Sequence, residues 1–386
     1  MINPQKMVEF AQAMVQHPSL SGEENAVAAR VQLEMTALGF DHVLMDEVGN
    51  VVGVVEGAQP GKTLLFDAHT DTVGVTSAVP WQRDPFCADI VEGSLFGRGA
   101  ADMKGALAAM VHAAGAMDRR QLCGRVVVSA STMEEVLEGV ALRVVMERFP
   151  PDFVVIGEAT GLNLARGGRG RAEVHLETLG LPSHSSAPHL GHNAVLDMAP
   201  LILAIDDIVL PEDPLMGPAI LALTDIISDP YPGNSVIPSI CRATYDRRLL
   251  PGESAADVLE AITSLPAAID IRLNARIAHG EYSAFTGKRL GCEKFFPAWL
   301  FPEDEWLVQR ALHALHGIGH APRLSTYRFC TNAAYSAGIA GIPTIGFGPA
   351  TEHDAHVIDE RLKLDDLFAA AAGYQAIIDS VLGEAA

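Results

Sequence analysis

Leu64-Leu65-Phe66-Asp67-Ala68-His69-Thr70-Asp71 carries an apolar run straight into a His-x-Asp terminus. Residues two apart on a strand share a face, so the Asp71 carboxylate can reach the His69 ring. There it would fix the imidazole tautomer and leave the other nitrogen open to a metal ion. Alone, the octapeptide is equally an ordinary strand end with polar residues. Working outward, residues 126–129 and Phe153–Ile156 are further short apolar runs. The first leads through Ser131-Thr132-Met133 to Glu134-Glu135, the second through Gly157 to Glu158. Residues 51–55 and 343–347 have the same strand character, and residues 105–116 are small, apolar and helical. Strands that are apolar throughout, alternating with helices, predict an α/β domain with a mostly parallel sheet covered on both faces.

At both ends the pattern is helical. Met7, Phe10, Ala11 and Val15 recur at helical spacing, and Ser21 with Glu23 and Glu24 is a helix start leading to Val27, Val31 and Leu38. A further helix falls at 306–316. Near Arg171 the texture changes. Residues 172–178 and 241–249 alternate like half-buried strands, with helical stretches at 193–205 and 254–264. This predicts a discontinuous catalytic domain, 1–170 and 282–386, interrupted by an inserted α+β lid and dimerisation domain, 171–281. The hinges fall near 168–171 and 277–282.

With 386 residues, two domains are the expectation. A net charge of −21 excludes a nucleic-acid partner, which needs a basic face, and disfavours anionic membranes. Five widely spaced cysteines without a CxxC pair offer no structural zinc knuckle. The N-terminal residues lack a signal-peptide pattern and no apolar run is long enough to span a bilayer, so the expected location is cytoplasmic.

Two more clusters carry chemistry. Gly97-Arg98-Gly99-Ala100-Ala101-Asp102-Met103-Lys104-Gly105 fits neither a Walker loop nor a dinucleotide fingerprint. It reads as a loop presenting Asp102 before a helix, where a carboxylate can bridge two cations or simply cap the helix. After Gly346-Phe347-Gly348-Pro349 come Glu352, His353, Asp354 and His356. Ligands in open α/β sheets bind beyond the carboxyl ends of the strands, where these acids and histidines recur. Imidazoles and carboxylates without thiolate suit borderline-hard divalent ions, zinc first, with cobalt or manganese possible. Two such ions about 3.5–4 Å apart activate water for hydrolysis.

In this order, His69-Thr70-Asp71, the Gly-Arg-Gly-x-x-Asp-x-Lys-Gly stretch, Glu134-Glu135, Gly157-Glu158 and Ala355-His356-x-x-Asp-Glu resemble the di-zinc hydrolase family of aminoacylase, carboxypeptidase G, acetylornithine deacetylase and succinyl-diaminopimelate desuccinylase. The resemblance covers essentially the whole chain. It implies that His69 and Glu158 hold one metal, Glu135 and His356 the other, and that Asp102 bridges them through a cis Asp102–Met103 peptide. Asp71 would support His69. Glu134 would be the general base that deprotonates the bridging water.

Pro182-Ser183-His184-Ser185 resembles the family's lid histidine motif, which implies that His184 reaches a partner subunit's site as an oxyanion stabiliser in a homodimer joined through the lid. Asn234 and Arg248 lie in stretches that resemble its binders of the substrate carboxylate. Where the family often shows Gly-Thr-Asp, this chain has Cys330-Thr331-Asn332, so Thr331 and Asn332 are further substrate-contact candidates with altered recognition. That form resembles the branch labelled selenium-metabolism-linked hydrolases. The implied substrate is a small amide, an N-acyl amino acid or peptide-like molecule. The alternatives are a non-catalytic binding or scaffold protein that keeps the fold, and a nucleotide-dependent oxidoreductase, for which residues 50–57 offer no fingerprint.

Overall fold

The computed structural model describes residues 1–75 and 79–383. A mixed sheet forms its centre. In spatial order the strands are His42–Met45, Val51–Glu56, Cys123–Ser131, Gln59–His69, Phe153–Ile156, Thr344–Gly346, Leu164–Gly168 and Trp299–Leu300. Leu324–Tyr327 also pairs with Leu164–Gly168. The four middle strands, Cys123–Ser131 through Thr344–Gly346, are mutually parallel. Val51–Glu56 and Leu164–Gly168 close onto them from either side in the antiparallel sense.

The near-continuous apolar strands have a direct cause. Leu64, Phe66 and Ala68 enter a core shared with Phe10, Leu107 and Tyr374 of helices Pro4–Val15, Gly105–Gly115 and Leu364–Leu382. Leu65, Val127 and Val154 enter a second core with Leu142 and Val145 of helix Val140–Arg148 on the opposite face. Both faces are therefore dry, and no polar alternation is needed. Helix Pro4–Val15 starts where the Asn3 side chain accepts from the Lys6 N–H with proline at the first turn. Ser21, in contrast, does not start a helix. The second helix runs Asn25–Ala37, and the Ser21 hydroxyl donates instead to the Asp71 carboxylate at 2.6 Å.

A second sheet is inserted after Leu164–Gly168. Its order is Ile220–Asp229, Ile240–Leu249, Gly170–Leu179, Leu273–Ile277, all antiparallel. Ala172, Val174, Leu176, Ala243 and Tyr245 pack against Met198 and Leu201 of helix Ala194–Asp206 and Val258 and Ile262 of helix Ala255–Thr263. The alternate residues, Arg171, Glu177, Arg242 and Asp246, form ion pairs on the uncovered face. That is why these two strands alternate while the central ones do not.

The return from this unit differs from a single hinge at 277–282. Strands His279–Ser283 and Arg289–Glu293 form a hairpin. It lies on the first unit, where the Thr286 hydroxyl donates to the Glu47 carbonyl and Leu290 packs with Met133 and Leu137. Phe295–Phe296 then rejoins the second sheet beside Arg171 and Ala172. Only at Trp299, opposite Gly168, does the chain settle in the main sheet. Gly170 marks the crossing: a Cβ there would sit 2.3 Å from the Phe296 carbonyl oxygen. No helix among the described residues is long and apolar enough to cross a membrane.

Leu65, fully buried in the strand that ends at His69, reports on this core. Leu65→Ala should lower stability by about 2–5 kcal/mol, read from urea unfolding curves. A loss below ~1 kcal/mol would mean that the second core closes around the missing atoms.

Candidate metal centre

The parallel strands present their carboxyl ends on one side, and the register aligns His69 with Ser131 and Asp67 with Ile156. Four segments converge there: His69–Asp71, Thr132–Glu135, Gly157–Glu158 and, after Thr344–Gly346, the loop bearing His356. Asp102 comes from the turn before helix Gly105–Gly115, and the Asp102–Met103 peptide is cis.

His69 Nδ1 lies 2.9 Å from the Asp71 carbonyl oxygen. A carbonyl can only accept, so Nδ1 carries the proton and Nε2 faces inward. Nε2 is 3.0 Å from Asp102 Oδ1, 3.4 Å from Glu158 Oε1 and 4.0 Å from Glu134 Oε2. His356 Nε2 is 3.0 Å from both Asp102 Oδ2 and Glu135 Oε1. The two oxygens of Asp102 thus address two imidazoles, each of which also meets a glutamate.

The electrostatics call for a cation. Burial pushes Glu134 and Glu135 above the usual carboxylate range, and burial with the Asp102 charge takes Glu158 up to about 7. Against its burial, hydrogen bonds to His356 and His69 hold Asp102 well below that range. Hydrogen bonds to Asp102 and Glu135 raise His356 to about 10. Carboxylate oxygens gathered this closely around two imidazole nitrogens repel one another unless positive charge, a proton or a cation, lies between them. Ligand atoms of His69, Asp102 and Glu135 lie within 4.8 Å of one another, as do those of His69, Glu134 and Glu158. Two imidazoles and three flanking carboxylates without sulfur fit divalent cations. Glu134 stands apart from the other acids: its Oε1 is buried with no hydrogen-bond partner.

Several expected residues behave differently. The Asp71 carboxylate is 3.5 Å from His69 Nδ1, and its carbonyl makes the close contact instead. The carboxylate accepts the Glu134 and Glu135 N–H groups, both at 3.1 Å, and so pins the turn that carries those acids. Thr331 and Asn332, expected as substrate contacts, are both buried and do not line the cavity in front of the acids. The Thr331 hydroxyl accepts the Ala333 N–H. The Asn332 amide donates both its hydrogens, to Asp67 and Ser131, and accepts from the Gly139 N–H, so its donors are spent within the protein.

Arg248 lines the cavity of about 530 Å³ in front of the acids, together with Glu138, Arg171, Cys330 and Glu352. His184 and Asn234 do not line it. Both are exposed, on adjoining turns of the inserted unit joined by the Ser185 N–H to the Ser235 carbonyl.

Glu360 escaped the sequence reading. Its buried Oε1 accepts the Ala101 and Asp102 N–H groups at 2.9 and 3.1 Å, and its Oε2 meets the buried Arg98 at 2.6 Å. Only its place in the Asp-Glu that closes the His356 motif hinted at a role. Glu138, which pairs with Arg171 at 3.0 Å, gave no local signal at all.

Residues 65–380 match the family described as peptidase family M20/M25/M40. The chain belongs to this family. It is 33% identical over 382 residues to the uncharacterized protein YgeY of Escherichia coli K12, spanning 96% of this chain and 93% of that one. It is 30% identical to a succinyl-diaminopimelate desuccinylase of Sphingopyxis alaskensis, spanning 96% and 97%. The fold matches that of Bacillus subtilis YXEP, a dinuclear metal-binding peptidase of the M20 family, with a TM-score of 0.72 at 13% identity over 98% of each chain. This M20 chain is a metal-dependent hydrolase. Nothing in these likenesses favours a non-catalytic scaffold.

In this M20 hydrolase Glu360 acts behind the bridge between the two imidazoles. Glu360→Ala should weaken zinc binding roughly 10–100-fold in a competitive chelator titration, as loss of an outer hydrogen-bond partner does elsewhere. Glu360→Gln, which keeps an acceptor for the two N–H groups, should lose less. Equal affinities would mean that the Asp102 turn holds itself.

Proposed function

We propose that this chain hydrolyses the amide bond of an N-acyl amino acid or small peptide-like substrate, releasing a carboxylate and an amine. The observation that carries the reading is Glu134: a buried carboxylate with an unpartnered oxygen, beside the imidazole–carboxylate cluster and facing the cavity. His69, Glu158 and Asp102 would hold one divalent ion, and His356, Glu135 and Asp102 the second, zinc being the first choice and cobalt or manganese accepted by the same ligands. Bound ions supply Lewis acidity to water and to the scissile carbonyl. Glu134 takes a proton from the attacking water and delivers it to the leaving nitrogen as the C–N bond breaks. Arg248 binds the carboxylate of the amino-acid portion.

His184 completes the site from a second copy of the chain. The Ser186 N–H donates to His184 Nδ1 at 3.1 Å, so Nε2 carries the proton and can donate to an oxyanion. The outer strand Ile220–Asp229 is an edge with exposed Ile220, Leu223, Ile226 and Ile227, which supports pairing with its two-fold mate. Five free cysteines suit the cytoplasm.

The test is amine release from N-acetyl, N-succinyl, N-carbamoyl and dipeptide substrates by the zinc-loaded enzyme. Glu134→Ala should cut turnover on the order of 10²–10⁴-fold with metal content unchanged, measured by elemental analysis. Metal lost together with activity would make Glu134 a ligand and overturn its role as the base.

Mixing His184→Ala with Glu134→Ala subunits addresses the dimer. One site in each heterodimer then has both groups, so activity should recover to a measurable fraction of the wild-type rate. Verified subunit exchange without recovery would confine His184 to its own chain.

A further inference from the structure

Arg248, the guanidinium assigned to the substrate's carboxylate, stands directly opposite Arg171 in the register of strands Ile240–Leu249 and Gly170–Leu179. Like charges set across two strands in this way repel. Asp246 lies two residues before Arg248, on the same face of the strand, and answers the repulsion with both its oxygens. Oδ1 meets Arg248 Nε at 2.7 Å, and Oδ2 accepts from Arg171 Nε at 2.8 Å. The Asp246 side chain is 18% exposed, so water screens these contacts only in part.

The line of charges continues out of the inserted unit. Arg171 Nη1 donates to Glu138 Oε1 at 3.0 Å, and Glu138 belongs to the same turn region as Glu134 and Glu135. Against its burial, the Glu138 charge and the hydrogen bond to Asp246 strengthen the hold of Arg171 on its proton. Glu138, Arg171 and Arg248 all line the cavity, and Asp246 stands behind them. A chain of ion pairs therefore runs from the turn bearing the base to the guanidinium that faces the far end of the substrate. Arg328, which also lines the cavity, shows the alternative: its side chain is 77% exposed and Glu352 is 3.7 Å away. An arginine held so loosely gives up rotamer freedom when it binds, and one already held gives up less.

Resting on the amide-hydrolase reading, we propose that Asp246 is a positioning residue, which holds the Arg248 fork in place for the substrate's carboxylate and, through Arg171 and Glu138, fixes that fork relative to the base. Asp246 meets Arg248 at Nε, the root of the guanidinium. The two terminal nitrogens are the end that a ligand carboxylate takes in a bidentate pair. Asp246 itself touches no substrate, and its effect passes entirely through Arg248.

The test reads binding separately from turnover, by calorimetric titration of the full zinc-loaded chain carrying Glu134→Ala. N-acetylleucine is compared with N-acetylleucinamide, which has the same size and lacks the carboxylate. The acid should bind on the order of tenfold more tightly. Adding Asp246→Asn should erase most of that ratio, and Asp246→Glu, which keeps the charge, should retain part of it. Arg248→Ala should erase the ratio by itself, and Asp246→Asn on top of it should change the affinity for the acid no further, because the two residues act as one. A merely structural Asp246 would instead weaken acid and amide alike, in both backgrounds. Thermal melting checks that each variant folds, and Asp246→Glu carries the comparison if Asp246→Asn does not. A preference undiminished in both Asp246 variants, an equal loss for acid and amide, a further loss in the Arg248→Ala background, or an acid that binds no better than its amide in the parent chain overturns the proposal. The amide reading fails separately, if zinc-loaded wild-type chain releases no amine from N-acyl amino acids or dipeptides.

Discussion

Four carboxylates, Asp102, Glu134, Glu135 and Glu158, meet two imidazoles at the largely buried floor of a cavity, and the repulsion among them sets what the surrounding structure must brace. Such a group is stable only with positive charge in its midst. The parallel sheet makes the gathering possible by ending several strands on one side, so that Glu134, Glu135 and Glu158 arrive together just beyond their own strands, with Asp102 supplied by the turn before helix Gly105–Gly115. A metal-dependent hydrolase is what this arrangement amounts to chemically, and membership of the M20 family is consistent with each part of it.

Holding charges in opposition demands bracing, and the braces are themselves polar and buried. Asp71 ties down the Glu134–Glu135 turn and Ser21, while Glu360 ties down the Asp102 turn and Arg98. Asn332 bridges the Asp67 and Ser131 strands to the Gly139 turn. A segment as short as His356 to Glu360 therefore carries one facing group and the support of another. Rigid placement of this kind fixes the orientation in which each group faces the site.

Legibility along the chain followed burial. Strands Cys123–Ser131 and Phe153–Ile156 were readable because both faces are covered, and Ile240–Leu249 because one is. Ile220–Asp229 gave no strand signal because its apolar residues, Ile220, Leu221, Leu223, Ile226 and Ile227, do not alternate with polar ones and are mostly exposed rather than turned to a core. Helix Leu364–Leu382 was missed for the opposite reason: its alanine-rich run is apolar on too many sides to show a clear period. The hairpin His279–Glu293 left no trace in composition of where it would pack, since its position depends on Glu47 and Met133, far away in sequence.

The sequence by itself determined the α/β class and singled out His69, Asp102, Glu134, Glu135, Glu158 and His356, whose side chains the fold brings together. These sit in short motifs, at or just beyond strand ends or, for Asp102, in the turn before a helix, where local pattern and chemistry coincide. Tertiary structure alone decided what each remaining polar group faces. It sent Asn332 and Thr331 inward, gave the close contact with His69 to the Asp71 carbonyl rather than its carboxylate, and joined Arg171 to Glu138 and Asp246. A side chain's hydrogen-bond partners come from residues tens or hundreds of positions away. Its role as a brace, a ligand or a binder of substrate is thus a property of the folded neighbourhood and not of the motif that contains it.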